Sequence, residues 1–141
     1  MSNKNFYHDF RLGILGGGQL GRMLIQSCVD FNIHTSVLDA DSSSPCKDFA
    51  TRFVLGNPTS FDDVYNFGKD LDLITIEVEN VNTEALEKLQ SEGKQVFPQP
   101  HIIRLIQDKR SQKRFYKDNN IPTPEFTLIN EKEEIHYNLN L

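Results

Sequence analysis

Three groups of residues have the type and spacing to do chemistry. Gly16, Gly18 and Gly21 fit the pattern G-x-G-x-x-G. In such a turn the first glycine permits a sharp bend, the second lets a ligand approach the backbone, and the third lets a helix pack closely on its strand. Amides and the positive end of a helix dipole converge there, which suits a phosphate or another electron-rich group. The run Glu77-Val78-Glu79-Asn80 places acids where an apolar strand ends. Carboxylates at a sheet edge suit a ligand with an amine, hydroxyl donors or a cation, and would repel a dinucleotide pyrophosphate. Alternation sends Glu77 and Glu79 to one face, and the same acids could instead cap a helix beginning near Thr83. The third group, Lys109-Arg110-Ser111-Gln112-Lys113-Arg114, is the most basic run in the chain and by itself reads as a solvated helix face.

Other polar residues leave two uses open. Asp39 stands roughly twenty residues past the third glycine, where dinucleotide-binding domains hydrogen-bond a ribose. With Asp41 and Ser42-Ser43-Ser44 it would equally end a strand and cap the next turn. Three serines before Pro45 could bond a phosphate or form a plain loop. His8, His34, His101 and His136 are scattered without companions, so no metal site is expected. Cys28 and Cys46 lack C-x-x-C spacing and read as structural thiols of a reducing compartment. No nucleophile elbow is present, and no catalytic residue is assigned.

These groups need a scaffold, and 141 residues with 38% hydrophobic and 25% charged content suffice for one compact domain. A net charge of −5 argues against a nucleic-acid partner. No long apolar run and no signal-peptide core occur, so no membrane partner and a cytoplasmic location are expected. Residues 12–15 read as a strand and 20–31 as a helix, with Leu20, Met23, Leu24, Cys28, Val29 and Phe31 inward and Arg22 and Gln26 outward. A second strand at 33–39 completes a right-handed βαβ unit. A loop at 41–45, a short helix at 46–50, a strand at 52–56 and a helix at 60–69 capped by Ser60 follow. The nearly continuous apolar strand at 71–77 is expected at the centre of the sheet. A helix at 83–90 ended by Gly93, a strand at 95–97 and one helix over 101–117 come next. Prolines 122 and 124 hold 121–129 extended, while 1–10 and 130–141 have little to bury. The fold class is α/β, an open, mainly parallel sheet with helices on both faces.

Taken together, Gly16-Gly17-Gly18-Gln19-Leu20-Gly21-Arg22-Met23, Glu77-Val78-Glu79-Asn80-Val81, and Gln107-Asp108-Lys109 with Gln112-Lys113 and Ile121-Pro122-Thr123-Pro124 resemble the amino-terminal third of the 5-(carboxyamino)imidazole ribonucleotide synthetases, ATP-grasp ligases of purine biosynthesis. The resemblance implies a Rossmann-like pre-ATP-grasp domain over 1–120, with 121–141 a linker and the start of a truncated ATP-grasp domain. It also implies ATP-driven carboxylation of aminoimidazole ribonucleotide by bicarbonate through carboxyphosphate, with magnesium, in a protein that is commonly a homodimer. Carried over by position, Gln19, Leu20 and Glu77 would contact the ribonucleotide and Lys109 the ATP phosphates. Many relatives have arginine at that last position, so a point charge replaces a planar fork. Val78 stands where the family is often aromatic. The lysines, glycine-rich loop and magnesium ligands of the ATP-grasp domain have no counterpart before Leu141, so the piece alone is expected not to turn over ATP. The rival reading is an NAD-binding regulatory module of the potassium-uptake type, in which Asp39 would hold adenosine ribose. A glycinamide-ribonucleotide formylating ligase fits Gln19 and Asn80 less well.

Overall fold

The structure is a computed structural model that describes residues 10–132 and 134. Most of the two polar ends, with His8 and His136, lies outside the described residues. The chain divides after Arg104 into two compact units.

In the first unit, β1 (Arg11–Leu15), β2 (His34–Asp39), β3 (Arg52–Leu55), β4 (Leu73–Ile76) and β5 (Gln95–Val96) form one parallel sheet in the order β3-β2-β1-β4-β5. The chain steps outward from β1 through β2 to β3, then returns to the other side of β1 for β4 and β5. The central strand is therefore β1, not the fourth strand as its apolar run suggests. With a hydrogen-bonded neighbour on each side, β1 buries four of its five residues, whereas β4 buries only Ile74. The strand order reverses between β1 and β4, and ligands of open α/β sheets bind beyond the carboxyl ends at such a point.

Alternation along the strands divides the core in two. Leu12, Ile14 and Val37 pack with Ile25 and Cys28 of α1 (Gln19–Asp30) and with Cys46. Leu15, Leu38 and Ile74 face the other way, onto α2 (Phe61–Gly68), α3 (Thr83–Ser91) and Ile103 of α4 (Pro100–Gln107). Helices thus cover both faces. Local signals set several ends: the Ser60 hydroxyl accepts from the Asp63 amide, Asn82 caps α3 through the Ala85 amide, and Gly93 follows α3 at φ +89°.

Three expectations are corrected. The inward residues of α1 are Gly21, Ile25 and Cys28, while Leu20, Met23, Val29 and Phe31 are each over 60% exposed. The helix carries more apolar residues than its narrow contact can cover, and the close approach at Gly21 sets which stripe faces the sheet. Residues 46–50 form successive turns instead of a helix. The helix expected over 101–117 is two, because the Asp108 carboxylate accepts from the Arg110 amide and the Ser111 hydroxyl and starts α5 (Lys109–Asp118) afresh.

In the second unit, residues 121–129 run extended, as the prolines predict. Part of the basic run is bonded to this segment and is not merely solvated. Arg110 donates to the Ile129 carbonyl and to the Asn130 side chain, and Lys113 donates to the Thr123 hydroxyl at 2.6 Å beside the Phe126 ring.

Candidate functional site

The glycine turn follows β1 directly. Gly16 has φ +95°, a conformation that side chains disfavour, and its amide donates to the Leu38 carbonyl at 2.9 Å. The Gly17 amide donates to Asp39 Oδ2 at 2.5 Å, and the second carboxylate oxygen of Asp39 accepts from the Asp41 amide at 2.7 Å. The Gly17 carbonyl accepts from the buried Ser44 hydroxyl at 2.7 Å and the Cys46 amide at 3.0 Å. The Cys46 thiol donates to the Gly18 carbonyl at 3.5 Å. The loop after β2 is thus the floor of the turn. Sequence reasoning singled out the three motif glycines and missed Gly17, where a methyl group would stand 2.1 Å from Ser44 Oγ.

Glu77 covers the opposite side. Its amide donates to the Leu15 carbonyl at 2.7 Å, just past the end of β4. A methyl group at Gly18 would lie 2.5 Å from Glu77 Oε1, one at Gly16 2.8 Å from Oε2, and one at Gly21 3.5 Å from Cγ. The carboxylate therefore rests across the glycines. Because β4 ends at Ile76, alternation does not extend to Glu79, which is exposed. Helix α3 is capped by Asn82 and carries Glu84 in its first turn, so neither Glu77 nor Glu79 is its cap.

Gln19 and Leu20 are exposed on the first turn of α1, which follows Gly18 directly. Lys109 belongs to the second unit, where it opens α5 and donates to Gln112 Oε1 at 3.3 Å. Arg22 does not simply face outward: its guanidinium is half-buried, 4.3 Å over the Phe49 ring. Of the three serines, Ser43 bonds Asp41 and Ser44 the turn, which makes them loop architecture. His34 and His101 are exposed, and among the described residues no three His, Cys, Asp or Glu side chains gather to hold a metal. Both cysteines are buried and unpaired. No helix of the described residues is long and apolar enough to cross a membrane.

Burial, reinforced by the negative charges of Glu77 and Asp39, pushes the Cys46 thiol up to about 11, against a smaller opposing pull from Arg22. At mildly alkaline pH, alkylation of Cys46 is expected to be slow in the folded chain and rapid in urea, read by mass spectrometry. The raised thiol also sets a sign for stability. Its contribution is complete below the ordinary thiol value of 9.0 and is lost as pH climbs from there toward 11.

The geometry has little use for a dinucleotide, since Asp39 spends its carboxylate on Gly17 and Asp41 instead of a ribose. The profile of the ribonucleotide synthetase preATP-grasp domain matches residues 10–107. The chain is 39% identical over 129 residues to the phosphoribosylaminoimidazole carboxylase of Candida glabrata, covering 88% of this chain and 22% of that protein. The N5-carboxyaminoimidazole ribonucleotide synthetase structure from Thermotoga maritima superposes with a TM-score of 0.78 at 32% identity, over 91% of this chain and 36% of that one. The Aspergillus clavatus N5-carboxyaminoimidazole synthase in complex with ADP and 5-aminoimidazole ribonucleotide gives 0.75 at 40% identity, over 84% and 32%. The chain thus spans between a fifth and about a third of the length of these proteins.

Proposed function

Because the chain belongs to the ribonucleotide synthetase pre-ATP-grasp family, we propose that it is the amino-terminal domain of an ATP-dependent carboxylating ligase of purine biosynthesis. The reaction joins bicarbonate to the exocyclic amine of 5-aminoimidazole ribonucleotide, with ATP supplying the energy through carboxyphosphate. One observation carries the reading: an acid with no bonded partner among the described residues, Glu77, lies over a glycine turn at the switch point of the sheet. There it accepts a hydrogen bond from the substrate amine and orients its lone pair, while Gln19 and Leu20 form the adjoining wall. Lys109 is assigned to the ATP phosphates as a point charge.

Residues 1–120 are assigned to the pre-ATP-grasp domain and 121–141 to the linker and the start of the next. A cytoplasmic location and a homodimer of the longer protein are proposed on the resemblance. Among the described residues no three His, Cys, Asp or Glu side chains gather to hold a metal, and magnesium is assigned, with most of the ATP contacts, to the ATP-grasp domain that the resemblance implies. The chain by itself is expected not to hydrolyse ATP, because positioned charge around a nucleotide is what phosphoryl chemistry needs.

Calorimetric titration of the 141-residue chain with aminoimidazole ribonucleotide, and with NADH in a parallel cell, tests the assignment. Ribonucleotide binding that disappears in Glu77→Ala, with no heat from NADH, is the expected result. Micromolar NADH binding that is lost in Asp39→Ala would overturn it in favour of a dinucleotide sensor.

A further inference from the structure

The glycine turn lies between two carboxylates, and they act on it differently. Asp39, below, takes the Gly17 amide, the donor at the middle of the turn, while the Leu38 carbonyl takes the Gly16 amide. The Glu77 carboxylate, above, accepts no hydrogen bond from the described residues and rests its charge across Gly16 and Gly18. A turn built to receive phosphate needs the reverse, with open amides and no resident anion. No side chain caps α1, so a dipole that would attract an anion is present and is already answered by Glu77.

We propose that Asp39 and Glu77 are specificity-determining residues that make this glycine turn exclude anionic groups and admit hydrogen-bond donors and cations. Asp39 removes the donor, and Glu77 supplies the repulsive field. A phosphate oxygen seated on the turn would approach the Glu77 carboxylate within hydrogen-bonding range. Like charges at such separations near a protein surface repel strongly enough to weaken binding on the order of a hundredfold. The proposal concerns what the turn refuses, so it does not depend on which amine-bearing ligand enters. Where it is combined with the ribonucleotide reading above, it rests on that reading and adds an orientation. The substrate lies amine-inward, with its phosphate directed away from Gly16, Gly17 and Gly18.

The test is a nuclear magnetic resonance titration of the 141-residue chain with inorganic phosphate at neutral pH, reading the backbone amides of residues 16–21. Three proteins are compared: the unaltered chain, Glu77→Gln, and Glu77→Gln with Asp39→Asn. The unaltered chain is expected to give no saturable shift at these amides. The double variant should give saturable shifts with an apparent affinity on the order of a hundredfold higher, and the single variant should fall between. Should the double variant lose its dispersed spectrum, Glu77→Gln alone decides, since that side chain bonds nothing the fold requires. Saturable shifts in the unaltered chain equal to those of the variants would overturn the proposal, and so would folded variants with no response. Ribonucleotide binding can fail in the calorimeter while this result stands, so the two readings fail separately.

Discussion

Gly17→Ala is expected to lower folding stability by about 3 kcal/mol, a large share of the roughly 5–15 kcal/mol typical of a domain. The added methyl would stand 2.1 Å from Ser44 Oγ, 3.1 Å from Asp39 Oδ2 and 3.2 Å from Val37 Cγ1. Ser44 is 5% exposed, so its hydroxyl has nowhere to retreat without breaking its bond to the Gly17 carbonyl. Overpacking costs typically 1–3 kcal/mol, and stranding a buried polar group costs about as much again. Urea denaturation would measure the loss. The cause can be separated with Ser44→Ala: if the clash is the mechanism, the double variant is more stable than the sum of the two single losses implies. Strict additivity would mean that the turn yields elsewhere and that Ser44 is not its floor.

Ile25→Ala is expected to cost about 2–5 kcal/mol, whereas Leu20→Ala should change stability by less than about 0.5 kcal/mol. Both are large apolar residues of one helix, and the pattern of the sequence favours Leu20 as the inward one. The structure buries Ile25 to 1% exposure and leaves Leu20 at 67%. Ile25 packs with Ile14 and Val37 on the α1 face of the sheet, so its removal leaves a cavity between two layers. Thermal or urea unfolding of the pair decides the matter. Comparable losses for the two would mean that α1 is rotated about its axis from the arrangement described.

What the sequence makes legible here is what short-range physics determines. The strand-turn-helix of residues 11–30, the Ser60 cap, the stop at Gly93 and the extended stretch after Pro122 each depend on neighbours within a few positions. The acid over the turn was legible as well, because a strand rich in apolar residues that ends in glutamate must present it at the sheet edge. The floor of the turn was not. Ser44 and Cys46 reach Gly17 and Gly18 across 27 and 28 residues, and nothing in a serine-rich loop announces which hydroxyl will be buried. The phase of α1 failed for a related reason: its apolar residues nearly encircle it, so periodicity cannot choose the stripe that Gly21 brings against the sheet. The centre of the sheet was misjudged because an apolar run reports burial but not strand order, and order depends on where the chain doubles back.

That doubling back has a consequence for how the protein is made. During synthesis β1 finds β2 about twenty residues later, but its other edge stays open until β4 has left the ribosome, with the Arg11 amide paired to Asp72 across 61 positions. Through that interval the nascent chain carries its most deeply buried strand with one side unsatisfied. Pairings this distant in sequence close slowly and expose strand edges while they wait. A pause in translation after β2 has emerged from the ribosome and before β4 has is therefore the window in which this strand edge is exposed longest, and synonymous changes that lengthen it should lower soluble yield while leaving the finished protein unchanged.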